Sequence, residues 1–199
     1  MKEQIIVTIG REHGSGGHYI ASMLAERLGI KLYDKEIVEE TVRDSGYDKE
    51  LVQKMDEKPV NVFFYRRIGE YSNSPEENVQ EQEFNLLRKR ADAGESFVAV
   101  GRCSDWVLKD NPNTVRVFIR GDKDAKVARI MTTDKVSEKE AGDIVKEIDR
   151  RRKAYHNYYS DLKWGDSRGY DICVNSSRIG IEETVDTLLQ YVSSFRNKQ

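Results

Sequence analysis

Apolar positions along this 199-residue chain switch between two periods, and each switch marks the edge of an element. Ile5-Ile6-Val7-Thr8-Ile9 is an unbroken β-branched run, the pattern of a strand buried on both faces. Ile20, Met23, Leu24 and Leu28 then recur at helical spacing, with Gly29 placed as a C-cap. Residues 31–34 read as a short strand or an extended turn. Ile37, Val38 and Val42 mark a helix, with Asp34 able to cap it. Leu51, Val52 and Met55 mark a further helical stretch over 48–57, and 60–75 is an aromatic and basic segment without a readable period. A helix over 76–93 places Phe84, Leu87 and Ala91 on one face.

The second half is better punctuated. Ser96 to Val100 and Thr114 to Ile119 are buried strands, the latter opened by the turn Asn111-Pro112-Asn113. A helix follows from Asp122 to Met131. Ser137 with Glu140 three residues on forms a capping box that starts a long charged helix reaching Tyr159. Residues 170–175 are a last strand. A final helix over 181–192 buries Ile181, Val185, Leu188, Leu189 and Val192. Five strands alternating with helices predict an α/β fold with a mainly parallel sheet covered on both faces. Ligands of such sheets bind beyond the carboxyl ends of the strands. The loops after Ile9, Val100 and Ile119 should therefore meet, with Gly10 to His18, Gly101-Arg102 and Arg120 facing one site.

The composition narrows the function. With 33 basic and 35 acidic residues the formal charge is -2, which argues against nucleic acid as the main partner. The two cysteines, Cys103 and Cys173, stand far apart and form no metal-binding spacing, as expected in a reducing compartment. No apolar run approaches a membrane span, and the first strand begins too early for a signal peptide. A cytoplasmic protein is expected, with homo-oligomerisation left open.

The chemistry centres on the first loop, where glycines stand at 10, 14, 16 and 17. A strand feeding such a turn into a helix start aims free N–H groups and the positive helix end at one point, which suits phosphate. Against G-x-x-x-x-G-K-[ST], taking Gly16 as the second glycine puts Gly17 in the lysine position and His18 in that of the magnesium-binding hydroxyl. The nucleotide-binding candidates are Gly10, Arg11, His13, Gly14, Ser15, Gly16, Gly17 and His18. Arg11, His13 or His18 could replace the lysine's charge, and the permanently ionised Arg11 is the favoured choice.

Phosphoryl transfer needs further cations and groups to position the acceptor. Arg102 follows a strand and a glycine at the ligand edge, and Arg129 lies on the helix after the fourth strand. Asp149 and Arg152 share a face of the long helix and could pair or hold one ligand together. Asp34 and Asp105 could orient the acceptor or hold magnesium through water. Solvated surfaces and helix capping are the plain alternatives for all of these. The aromatics Tyr155, Tyr158, Tyr159 and Trp164 suit helix packing better than base stacking. His156 reads as structural and Cys103 as an inert thiol.

Gly14-Ser15-Gly16, Tyr33-Asp34, Gly101-Arg102, Asp149 to Arg152 and Tyr170-Asp171, in that order and spacing, resemble the cytidylate kinase-like group of P-loop nucleoside monophosphate kinases. The resemblance implies a three-layer P-loop fold and magnesium-dependent transfer of a phosphoryl group from ATP to CMP or dCMP. It places Arg102, Arg129, Asp149 and Arg152 on the acceptor and lid sides. It also implies a core of residues 1–34, 94–121 and 169–199, a helical acceptor-binding insertion over about 35–93, and a lid over about 122–168. The chain departs from the cytidylate kinase pattern at Gly17, where lysine is usual, and at Cys103, where aspartate is.

Overall fold

A computed structural model describes residues 4–34, 39–40, 50, 67–68, 71–72 and 74–198. Apart from residues 39–40 and 50, the helices expected over 37–42 and 48–57 lie outside the described residues, as does the apolar stretch from 60 to 65. The central strand, Ile6–Arg11 (β1), runs parallel to Phe97–Val100 on one side and to Thr114–Arg120 on the other. Numbering by chain order, with Lys31–Tyr33 as β2 and a small antiparallel pair at Arg67–Ile68 (β3) and Tyr71–Ser72 (β4), these partners are β5 and β6. Ile172–Asn175 is β7. The main sheet has the order β2-β5-β1-β6-β7, and all of its pairings are parallel.

The alternation along β1 sorts the covering helices into two layers. Val7 and Ile9 project to one face, where they pack with Ile20, Ala21 and Leu24 of helix α1 (Gly17–Leu28). Val185, Leu188 and Val192 of the C-terminal helix Ile181–Arg196 complete that core. Ile6 projects to the opposite face, against Leu86, Leu87 and Ala91 of α2 (Pro75–Asp92). The result is a three-layer α/β sandwich built on a parallel sheet.

Several boundaries shift for local reasons. β1 runs on through Gly10 and Arg11, because β6 continues far enough to pair them with Phe118 and Ile119. Arg11 thus belongs to a strand and not to the loop. Gly10 permits that pairing, since a β-carbon there would lie 2.9 Å from the Phe118 ring. Ser74 accepts a hydrogen bond from Glu77 N–H and caps α2 with Pro75 in its first turn, so this loop-like sequence is a helix start.

After the short α3 (Ser104–Val107) and β6 come two paired helices, α4 (Lys123–Asp134) and α5 (Glu138–Tyr159). The capping box at Ser137 and Glu140 opens α5 as its spacing predicts. These helices have a core of their own, from Val127, Ile130, Ala141 and Val145. The carboxyl end of α5 is fastened separately, by Tyr155 against Phe84 and Cys103. Tyr159 meets Phe84 edge to face at 5.2 Å between ring centroids, and Trp164 meets Phe118 in the same way at 5.2 Å. Packing accounts for these aromatics. No helix among the described residues is long and apolar enough to cross a membrane.

Candidate functional site

The loop between β1 and α1 curls because Gly14 and Gly16 take left-handed backbone angles, with φ of 76° and 80°. Ser15 steadies the curl by donating from Oγ to the Glu12 carbonyl at 2.8 Å. Gly16 stands at the helix N-cap with no side-chain cap, so the first-turn N–H groups of α1 are left for a ligand. Around this helix start lies a pocket of about 520 Å³, lined by the loop and by Asp34, Arg129, Thr133, Asp134 and Arg152.

Arg11 reaches the same pocket from the end of β1. Its side chain crosses over Gly17: a β-carbon added at Gly17 would lie 2.6 Å from Arg11 Cβ and 3.0 Å from its Cγ. A lysine at position 17 and this arginine could not share the space. The missing lysine and the arginine on the strand are thus one structural fact.

The α4–α5 pair is laced to the loop by polar contacts. Arg129 donates to the Gly14 carbonyl. Arg152 donates to the Arg11 carbonyl at 3.3 Å. Asp149 accepts from His13 N–H at 2.6 Å and from Lys126 Nζ at 2.9 Å, and Lys126 also reaches Glu12 at 3.0 Å. Burial opposes the charge on Lys126, but its bonds to Asp149 and Glu12 win and raise its pKa. The second oxygen-bound donor at Glu12 is Gly121 N–H, at 3.0 Å. Lys126 and Glu12, which tie the helices to the loop, are positions that the sequence reading did not single out. The available signal was a lysine at 126 adjoining the core positions Val127 and Ile130 of the same helix.

His13 is pushed the other way. Burial, and then the charge of Arg152, lower its pKa, so it is neutral at neutral pH and cannot replace the lysine's charge. His18 lies in the first turn of α1, with Nδ1 2.8 Å from Asp34 Oδ2. Asp34 Oδ1 in turn accepts from Arg102 at 2.5 Å. Burial would raise the Asp34 pKa, but Arg102, Arg11 and His18 hold it below the usual carboxylate range. Arg102 itself is buried, with a further bond to the Val100 carbonyl at 3.0 Å. Gly101, Arg102 and Cys103 have successive φ values of 72°, 49° and 52°, a left-handed turn that carries the arginine back beneath the sheet edge.

Other expected residues lie elsewhere. Asp105 is buried and meets His156 Nε2 at 2.7 Å, and with Arg102, Cys103 and Tyr155 it borders a cavity of only about 20 Å³. Arg120 is exposed at the end of β6 and lines neither cavity. The end of β1 and the loop after β5 do meet, since Gly10, Arg11, Gly101 and Arg102 border that small cavity together.

Parallel sheet order, glycine loop and helix start together define a P-loop type of phosphate-binding α/β protein. The chain matches the cytidylate kinase-like family over residues 6–178, and it belongs to that family. It is similar to a cytidylate kinase of Methanopyrus kandleri, with 25% identity over 188 residues, covering 92% of this chain and 91% of the relative. Among solved structures it is similar to an uncharacterised protein of Eubacterium ventriosum, with 39% identity and a TM-score of 0.77, covering 96% of this chain and 99% of the other. A gluconokinase of Sinorhizobium meliloti shares the fold at 13% identity and a TM-score of 0.60, covering 100% of this chain and 97% of the other.

Proposed function

We propose that this chain is an ATP-dependent phosphotransferase that moves the γ-phosphoryl group of ATP to CMP, dCMP or another small acceptor. The observation that carries the reading is the cradle at the start of α1, with three arginines, Arg11, Arg129 and Arg152, lining one pocket. Charge spreads over the oxygens of a transferring phosphoryl group, so fixed cations and aligned N–H groups stabilise it most. The loop N–H groups bind the nucleotide's phosphates. Arg11 supplies the charge that lysine gives in the usual motif, while Arg129 and Arg152 close over the phosphates from α4 and α5. Asp34 and Arg102, beyond the neighbouring strands, position the acceptor.

Magnesium is the ion such kinases imply, but its usual hydroxyl ligand is replaced here by the imidazole of His18. That donor does not suit magnesium, which prefers oxygen. A second reading, a non-catalytic nucleotide sensor, is favoured by Lys126. This lysine, bonded to Glu12 of the loop, is already held by two carboxylates.

The test is acceptor-dependent ADP release, measured with a panel of nucleoside monophosphates and of hydroxyl-bearing acceptors. Turnover with one of them supports the kinase. Tight ATP binding with no turnover on any acceptor supports the sensor.

A further inference from the structure

The site pairs His18 with Asp34 at the position where the nucleotide-binding motif places a metal ligand. We propose that the divalent ion entering with the nucleotide is a first-row transition ion, ligated by Nε2 of His18, in place of a hydroxyl-bound magnesium. The inference rests on the reading of the pocket as a nucleotide site.

Three features carry it. First, position 18 is where G-x-x-x-x-G-K-[ST] delivers a hydroxyl to magnesium, and here it delivers an imidazole into the pocket lined by the loop. Second, the ring is held in one tautomer. Asp34 is fixed by the buried Arg102, and its other oxygen faces Nδ1 at 2.8 Å; a carboxylate only accepts, so in the neutral ring Nδ1 donates and Nε2 keeps its lone pair. A carboxylate behind a histidine in this way is the arrangement that orients metal-bound imidazoles and raises their basicity. Third, the His18 side chain is 55% exposed, so the ring is open to a ligand arriving from solvent.

Donor chemistry then decides the ion. An imidazole nitrogen adds little for magnesium, whereas its affinity for divalent ions climbs from manganese through iron to cobalt. Arg11, Arg129 and Arg152 line the same pocket and oppose a bare dication. The ion therefore binds with the nucleotide, whose phosphates offset that charge, and not before it.

The test compares the full chain with His18→Ser, which restores the hydroxyl of the usual motif on an exposed side chain. Binding of a non-hydrolysable ATP analogue is measured without metal and with Mg²⁺, Mn²⁺ or Co²⁺. For the parent chain, affinity should rise in that metal order by more than it does for His18→Ser, with a gap of at least tenfold for Co²⁺. Electron spin echo spectra of the Mn²⁺–nucleotide complex should show imidazole nitrogen coupling that His18→Ser lacks. Asp34→Asn should weaken the cobalt complex by roughly 10–100-fold, the usual effect of losing the carboxylate behind a ligating histidine. Bound Mn²⁺–nucleotide without nitrogen coupling, or an identical metal order in both proteins, overturns this inference and leaves the nucleotide site standing. No binding of the analogue under any condition overturns both.

Discussion

Arg11 occupies the space that any side chain at position 17 would need, its Cβ standing 2.6 Å from the point where a Gly17 β-carbon would lie. The two positions are therefore coupled. Gly17→Ala should destabilise the protein by about 1–3 kcal/mol, as overpacking does. In an Arg11→Gly background the same change should cost under half as much. A double-mutant cycle by urea unfolding measures the difference, and additive effects would show that the clash is relieved elsewhere.

Arg11→Ala should lower turnover by on the order of 10²–10³-fold, the scale of losing one group that stabilises transition-state charge. The fold should hold, because the strand's backbone pairing does not involve the side chain. Steady-state kinetics beside a circular dichroism melt separates these outcomes. Unchanged turnover would move the role to Arg129 or Arg152.

Lys126→Met tests the lacing between loop and helices. It strands Glu12 and Asp149 beside each other with no cation between them, and breaking such a buried pair costs roughly 3–5 kcal/mol. The partial exposure of both carboxylates puts the expected loss below that range, at about 2–3 kcal/mol. Thermal unfolding reads it directly. Lys126→Arg should recover part of the loss and little else.

Gly14→Ala combines two penalties. Its φ is 76°, and an added β-carbon would lie 2.8 Å from the Lys126 carbonyl oxygen, a backbone atom that cannot swing aside. We expect nucleotide binding to weaken at least tenfold, with a stability loss of about 2 kcal/mol from left-handed strain and the clash. Calorimetric titration with an ATP analogue checks the first, chemical denaturation the second.

Stability should fall on both sides of neutrality. His13, faced by Arg152, Asp149, Asp134 and Arg11, has its folded pKa lowered from 6.5, so below 6.5 the unfolded chain binds the extra proton. Stability therefore drops as pH falls from 6.5 towards the folded value. Lys126 has its folded pKa raised from 10.5, so its contribution is complete below 10.5 and is lost as pH climbs through the folded value. Urea midpoints from pH 5 to 11 follow both limbs. His13→Asn should flatten the acid limb, and Lys126→Met the alkaline one.

Much of the fold was legible because it rests on local signals. The β-branched run at 5–9, the capping box at Ser137 and the apolar spacing of the last helix each name their element without help from the rest of the chain. Three-layer architecture followed from their alternation. The site was legible only in part. The cradle shows in its glycines, but the contacts that shape it are between residues far apart in sequence: Glu12 with Lys126, His13 with Asp149, His18 with Asp34. No period records such pairs. The spacing puts Asp149 and Arg152 on one helix face, yet Asp149 is held by the loop at His13 and Arg152 by the end of β1 at Arg11. Sequence alone places Arg11 in the loop, because the strand's last two rungs depend on how far β6 extends.

The separate core of α4 and α5 has a thermodynamic consequence. Where these helices meet the loop, the contacts described are hydrogen bonds and ion pairs, while their apolar packing is mostly with each other. Bonds of that kind exchange with water or phosphate oxygens at a net cost of about 0.5–1.5 kcal/mol each, and no hydrophobic core has to be broken to release them. The far end of α5, by contrast, is held by Tyr155 against Phe84 and Cys103. The pair is thus held by apolar packing at one end and by exchangeable bonds at the other, so under the proposed function arriving phosphates would compete for the arginines, Arg129 and Arg152, that join it to the loop.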